Sequence, residues 1–441
     1  MKVGFYLRNQ SVSDVDLSHP EKGNPGVGGT QFNFVALPYY LKKIYPEQIE
    51  PIIYANSVSL LPSQLTVKQA STSVEAAEHC DRDGCSIFVF RPRQIDFESN
   101  LLEALSALGC EGVAWGHNIP LPLSQMNALA ECESIARLVV VGQERLDQIR
   151  DHPVFQKSIR IYNGFDPEPY HPDEHSVGDG TTVVYLGSLT PAKGFHVLAE
   201  AWPSIKREVP GAQLKVIGSA RLYDEDAELG KWGVAAESYE REFRPYLSTP
   251  DGSVDESVDF LGKMGTEKIP RLQQADVGVV NPTGKTENCP GSAIEFQAAG
   301  TPVVSIAEWG LLDTVLDGKT GTLCDTKQGI RDAIVEHLSD KSKRKKYGLK
   351  GRKYIQEKFD FKGICGEWLG TFERIEKGER KKKTPITKNL FYRYKYLREA
   401  LGVFRQNKFF EKLIPPLYVI SDGKDIKRII FNKLKSKTKL W

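Results

Sequence analysis

Glu287 and Glu295, separated by seven residues, stand in the stretch Lys285 to Ser305, KTENCPGSAIEFQAAGTPVVS. An apolar run ahead of them, Ala275 to Val280, stops at Asn281-Pro282 and reads as a buried parallel strand handing over to a polar loop. Gly291-Ser292 can open a helix, Glu295 falls one turn inside it, Gly300 closes it, and Thr301 to Ser305 forms the next strand. Unpaired N–H groups and the dipole at the start of such a helix make a seat for phosphate. A carboxylate repels phosphate but accepts hydrogen bonds from hydroxyls, so acids on both sides of this seat can hold a sugar around an anionic group. Taken singly, Glu287 is a solvated loop acid and Glu295 a helix-dipole partner. Their spacing around the seat is what points to chemistry.

Three other positions fit the same chemistry. Lys193 lies in the loop Ser188 to Gly194, just past an apolar strand, where an ammonium neutralises phosphate charge on a departing nucleotide. His117, in Ala114-Trp115-Gly116-His117-Asn118-Ile119-Pro120, follows a strand and precedes a proline turn, so it is expected to point into the crevice at the strand ends. Gly23 to Thr30, with Gly28 and Gly29, is a glycine-rich turn that lets backbone approach a phosphate. It lies too far from the first strand for a dinucleotide fingerprint.

These groups need a frame that gathers them. Strands are expected at Lys2 to Leu7, Ile49 to Ala55, Cys85 to Phe90, Gly112 to Gly116 and Leu138 to Gly142, alternating with helical stretches that include one from about Gln31 to Lys43. After a Pro/Asp/His/Gly-rich linker, Pro167 to Gly180, a second series runs Thr181 to Gly187, Gln213 to Ser219, Val258 to Met264, Ala275 to Val280 and Thr301 to Ser305. Such alternation implies α/β architecture: two doubly wound parallel sheets, ligands at the carboxyl strand ends, and a cleft between the halves. The polar segment Arg221 to Ser257 reads as a long insertion, and its acids Asp224, Glu225 and Asp226 lack the spacing of a metal site.

Strand-Asn-Pro, Glu-x7-Glu and Gly-Thr-Pro-Val-Val together resemble the donor-site signature of retaining glycosyltransferases of the GT-B fold, particularly family 4. The resemblance implies two Rossmann-like domains facing across a cleft, over residues 1–168 and 178–358, the first closed by a short strand and an Asn-Gly-x-Asp turn within Ile159 to Asp166, a crossover helix 359–375 announced by Phe359-Asp360-Phe361 and Trp368, and a basic tail 376–441. It implies that Glu287 contacts the transferred sugar, Glu295 the nucleotide ribose, and the backbone of Asn288, Cys289, Gly291 and Ser292 the diphosphate. Lys193 matches the Lys of the family's Gly-Arg-Leu-x-x-x-Lys-Gly, where Ser188 stands in place of the Arg. His117 matches the histidine beside the transferred sugar, and Gly28 and Gly29 the loop facing donor phosphate and acceptor. Met264 ends a Phe-Leu-Gly strand whose following backbone meets the base. The implied catalytic set is His117, Lys193 and Glu287, with no cofactor or bound metal. The co-substrate is a nucleotide-diphosphate sugar of UDP or GDP type, and the acceptor a glycan or glycolipid hydroxyl. The rivals are a GT-B epimerase or phosphorylase, and an inactive nucleotide-sugar-binding subunit motivated by Ser188.

Composition bounds the rest. At 441 residues, 40% hydrophobic and 26% charged, the chain has the content of a soluble protein of two domains with an appendage. No apolar run approaches the ~20 residues of a membrane span. Seven scattered cysteines indicate neither a zinc site nor a disulfide framework, and a cytoplasmic setting is expected. The net charge of +2 hides a division, because Glu376 to Trp441 holds 19 Lys/Arg and 6 Asp/Glu, leaving the remainder acidic. In that tail Leu390, Tyr394, Leu397, Leu401 and Phe404 step by three and four among Arg393, Lys395, Arg398 and Arg405. A second basic-apolar stretch runs from Lys424 to Trp441. The pattern predicts an amphipathic helix, read either as packed on the protein with a disordered end or as a basic segment that adsorbs to the inner face of an anionic membrane; no nucleic-acid module accompanies the charge.

Overall fold

The computed structural model describes residues 1–92, 100–171, 178–220, 228–379, 381, 384–386, 392–407 and 414–421. The middle of the linker, the acids Asp224 to Asp226, Leu390 and the stretch from Lys424 onward therefore lie outside the described residues.

Seven strands form the first sheet: β1 (Lys2–Leu7), β2 (Glu50–Ala55), β3 (Thr66–Gln69), β4 (Ile87–Phe90), β5 (Glu111–Gly116), β6 (Ile135–Val140) and β7 (Ser158–Arg160). They pair in parallel in the order β3-β2-β1-β4-β5-β6-β7, with Val3 opposite both Pro51 and Ile87. The second sheet contains β8 (Thr182–Leu186), β9 (Gln213–Ile217), β10 (Val258–Gly262), β11 (Val277–Val279), β12 (Val303–Ile306) and β13 (Gly321–Cys324), in the order β10-β9-β8-β11-β12-β13. Runs such as Ile-Phe-Val-Phe in β4 are buried along their whole length, as strands covered by helices on both faces must be. In each sheet chain order reverses beside one strand, β1 or β8, and such switch points open a crevice at the carboxyl ends.

Two strands were not legible as strands. β3 is short, polar and largely exposed at a sheet edge, and β13 follows the Gly318-Lys319-Thr320-Gly321 turn directly. The segment from Arg221 to Ser257 is more than a polar insertion, because helix Glu237–Leu247 buries Tyr239, Phe243 and Leu247 with Trp202 and Ile334 in one core.

Helix Phe361–Glu376 packs on helix Gly29–Ile44 of the first half. The chain crosses between them at a short parallel bridge, where Phe165 N–H donates to the Phe359 carbonyl at 2.8 Å and Phe361 N–H to the Phe165 carbonyl at 3.2 Å. Trp368 stands edge-on to Trp115, 5.0 Å between centroids, so one continuous core runs from β1 and β5 through the crossover helix to Phe296 and Val303. Burial of aromatic side chains on this scale fixes how the two crevices face.

The tail helix Tyr392–Phe404 is packed on the first half by its basic side. Lys395 and Arg398 face inward: Lys395 Nζ binds Glu144 at 2.6 Å and Asp147 at 2.8 Å, and Arg398 Nη1 binds the Gln148 carbonyl at 2.7 Å. Its apolar side chains Tyr394, Leu397 and Val403 are exposed. The reason is an acidic ridge, Glu144, Asp147 and Asp151, on and beside helix Gln143–Gln148, whose buried carboxylates would be left uncompensated without cations beside them.

Candidate functional site

The loop after β11 carries the first acid. Asn281 and Thr286 adopt left-handed φ angles of +34° and +63°, conformations that cost non-glycine residues energy and need local support. Asn281 supplies it: its Nδ2 donates at 2.7 Å to the Lys285 carbonyl and at 2.7 Å to Glu287 Oε1. Lys193 Nζ meets the same Glu287 oxygen at 2.7 Å. Because both donors bind Oε1, Oε2 keeps its capacity to accept from a hydroxyl.

Lys193 is held from the β8 side. It ends a single turn of 3₁₀ helix, Pro191–Lys193, closed by Gly194 at φ +73°, and the Tyr185 hydroxyl donates to the Lys193 carbonyl at 3.0 Å. Ser188, one step past the strand, is buried with its hydroxyl 3.5 Å from Thr190 Oγ1.

Helix Gly291–Ala298 begins after Pro290, and its first intrahelical donor is Ala293 N–H, 3.2 Å from the Pro290 carbonyl. The N–H groups of Gly291 and Ser292 therefore precede the ladder at the mouth of the cleft. Gly278 sets the helix close to the sheet, since a Cβ there would come 2.5 Å from the Phe296 ring. Glu295 is buried one turn in, its Oε1 taking Lys268 Nζ at 2.9 Å and the Tyr170 hydroxyl at 3.2 Å.

The opposite wall comes from the first half. His117 directly follows β5, its ring tilted against Trp115 at 4.7 Å, and among the described residues neither ring nitrogen makes a hydrogen bond of ordinary geometry. Burial, then the Arg91 charge, pushes its imidazole down to about 3, so the ring is neutral near pH 7. Asn118 reaches across to Asn288, whose Nδ2 donates to Asn118 Oδ1 at 3.3 Å. Gly28 caps helix Gly29–Ile44, and the loop before it abuts the second half: a Cβ on Gly26 would lie 2.9 Å from Lys263 Cε.

These walls enclose a cleft of about 550 Å³ that gathers every site residue expected from the sequence: Gly28, Gly29 and His117 from the first half; Ser188, Lys193 and Met264 from the ends of β8 and β10; and Glu287, Asn288, Cys289, Gly291, Ser292 and Glu295. It also gathers residues that sequence reasoning missed. Asn281 stood in view only as a strand stop. Lys268, Arg91 and Asn118 line the cleft with no motif to announce them, and Tyr170 binds Glu295 from the linker. Burial raises the Cys289 thiol to about 12, so it is no thiolate. The arrangement pairs each carboxylate with one lysine around a helix N-terminus, which suits a polyol bearing phosphate.

Comparison with known proteins follows the same division. Residues 167–354 match the family model for glycosyl transferases group 1. The chain is 29% identical over 214 residues to a GDP-mannose-dependent alpha-(1-6)-phosphatidylinositol monomannoside mannosyltransferase of Mycobacterium tuberculosis, covering 44% of this chain and 49% of that protein. It is 23% identical over 271 residues to spore coat protein SA of Bacillus subtilis, covering 57% and 68%. The chain thus spans about half the length of the first of these and about two thirds of the second. Among solved structures, Anabaena HepE in complex with UDP and glucose superposes with a TM-score of 0.60 at 16% identity over 85% of this chain and 99% of that one. A glycosyltransferase of Rickettsia africae gives 0.65 at 14% identity over 86% and 99%. These structural likenesses establish the architecture of two facing Rossmann-like halves, and the second half, residues 167–354, is the part that matches the glycosyl transferases group 1 model.

Proposed function

We propose that this chain is an enzyme that moves a sugar from a nucleotide-diphosphate donor to an acceptor hydroxyl, with retention of configuration. The observation that carries the reading is the Lys193–Glu287 pair, 2.7 Å apart, lining one cleft with the first turn of helix Gly291–Ala298 and with His117. In the step proposed, the bond from the sugar's anomeric carbon to the diphosphate breaks and one to the acceptor oxygen forms on the same face. The acceptor proton passes to the departing diphosphate. Lys193 and the amides of Gly291 and Ser292 stabilise the charge that grows on that diphosphate, an interaction stronger in the transition state than before it. This assigns neutralisation to the chain's own groups, so the step calls on no metal. Glu287 and the neutral His117 orient hydroxyls of the transferred sugar, and Glu295, held by Lys268 and Tyr170, accepts from the ribose.

A glycan or glycolipid acceptor, in surface polysaccharide or glycolipid assembly, is supported by the mycobacterial relative's name, and a peripheral place on the inner face of an anionic membrane by the charge of residues 376–441. No helix of the described residues is long and apolar enough to cross a membrane. The test is a thermal-shift panel of UDP- and GDP-sugars followed by assay of free nucleotide with and without acceptor. Stabilisation by one donor and nucleotide release that requires an acceptor are expected. Binding with no release under any acceptor would favour an inactive donor-binding subunit instead, and release of sugar phosphate a phosphorylase.

A further inference from the structure

Six of the nine large apolar side chains exposed among the described residues lie in the tail: Tyr394, Tyr396, Leu397, Val403, Phe404 and Val419. The helix that carries most of them, Tyr392–Phe404, is mounted with its polar side inward. Positions 395, 398, 402 and 405 recur at helical spacing and form its inner face. Lys395 is 3% exposed, Arg398 9% and Arg405 4%, and a Cβ on Gly402 already presses on the Arg150 carbonyl at 2.8 Å. Tyr394, Tyr396, Leu397 and Val403 look outward at 64%, 52%, 48% and 63% exposure. The mounting is firm: besides Lys395 on Glu144 and Asp147, Arg150 donates to the carbonyls of Thr384 at 3.2 Å and Pro385 at 2.8 Å, and Leu417 N–H to Asp151 at 2.5 Å. Ion pairs this deeply buried do not open to release their cations to an external anion.

We propose that this outward face of helix Tyr392–Phe404 is the surface by which the protein docks on an anionic lipid bilayer, inserting tyrosine and aliphatic side chains at the headgroup level. This deepens the peripheral placement proposed above by naming the face. It reverses the expected division of labour: the helix supplies the apolar contact, and the attraction comes from elsewhere. Charge on the page identifies that source. Residues 422–441, which follow directly on helix Leu417–Ser421, contain seven Lys/Arg and two Asp/Glu, whereas residues 1–375 are net negative. An anionic surface therefore attracts the basic tail, as it does the exposed cations of helix Lys341–Lys358, and the face Tyr394, Tyr396, Leu397 and Val403 belongs to that tail. Stable peripheral binding takes two such signals together, one apolar and one basic. A second copy docked face to face on this helix would set one basic tail against the other, which is why the bilayer is the occupant proposed.

The experiment is sedimentation of the full chain with phosphatidylglycerol-rich and with phosphatidylcholine vesicles. It uses the wild type and the double variant Leu397→Glu, Val403→Glu, whose positions are exposed and whose new residues favour helix. The expected result is binding to the anionic vesicles alone, weakened at least tenfold in the variant and by raised salt, with unchanged melting temperature. Nucleotide binding, measured on the same samples, reports the donor-site reading separately and is expected to be equal in both proteins. Anionic-vesicle binding that the variant retains, binding to neither vesicle, or a wild-type dimer that the variant converts to monomer would each overturn the proposal.

Discussion

Lys193→Met removes one ammonium and keeps the alkyl stem. In the structure Lys193 Nζ lies 2.7 Å from Glu287 Oε1, and the two side chains are 20% and 9% exposed, so the variant leaves a carboxylate in a largely closed cleft with Asn281 as its remaining donor. A charge about 4 Å from a phosphate oxygen at an effective dielectric of ~20 is worth roughly 4 kcal/mol per unit pair. Loss of one donor aimed at transition-state charge costs roughly 3–4 kcal/mol in other enzymes. The two figures describe overlapping effects, so kcat/KM is expected to fall on the order of a thousandfold, about 4 kcal/mol. Part of that fall comes from the orphaned Glu287, and Lys193→Met combined with Glu287→Gln separates the parts. Calorimetry with whichever of UDP and GDP binds, and with the matching nucleoside, is the assay. If Lys193 acts on phosphate, the double variant binds the diphosphate at least tenfold more weakly than Glu287→Gln alone, while nucleoside binding is unchanged. A double variant that binds the diphosphate as tightly as the wild type refutes the reasoning, because Lys193 would then serve only to neutralise its neighbour.

Two further tests address how the halves are joined. Burial, then the charge of Glu144, pushes the Asp313 carboxyl from the ordinary 3.8 up to about 8, so the folded protein holds a proton the unfolded chain has released. Stability then falls as pH rises from about 4 to 8, by at most ~1.4 kcal/mol per pH unit, and levels off above. The buried His117, His152 and His337, pushed down to about 3, 4 and 4, act in the opposite sense below their ordinary 6.5, losing stability as pH falls. In the window from pH 6.5 to 8 the histidines no longer contribute, while Lys381, pushed down to about 8 by burial, acts against Asp313 at its upper end, so Asp313→Asn is compared with wild type on the same scale. The variant's urea-unfolding free energy is expected to decline less, or rise more, across the window, and parallel profiles count against this account. Gly142→Ala places a Cβ against the Asn288 carbonyl and 3.2 Å from Asp313 Oδ2, at the junction of the two halves. Overpacking there is expected to cost about 1–3 kcal/mol in unfolding measurements and to weaken nucleotide binding with it.

The order of strands and helices was legible in the chain because parallel strands covered on both faces leave unbroken apolar runs, and turns leave Gly, Pro and Asn between them. So was most of the cleft wall. Glu287, Glu295, the helix opening at Gly291 and the Lys193 loop each lie just past a strand end, so locating the strands located them. β3 escaped because an exposed edge strand four residues long has no apolar pattern to read.

What tertiary structure alone decided were the meetings of side chains far apart in sequence. Tyr170 finds Glu295 125 residues away, Asn118 finds Asn288 across 170, and Lys395 finds Glu144 across 251. No local period encodes such pairs; they follow from which crevice faces which once the crossover helix docks. The tail shows the limit most plainly. Helical spacing established that the segment from Tyr392 to Phe404 has a basic side and an apolar side. It could not establish which side is buried, because that depends on the acids Glu144, Asp147 and Asp151 brought together on a distant part of the first half. Carboxylates buried there are costly unless a cation lies within hydrogen-bond reach, and that contact exists only after folding.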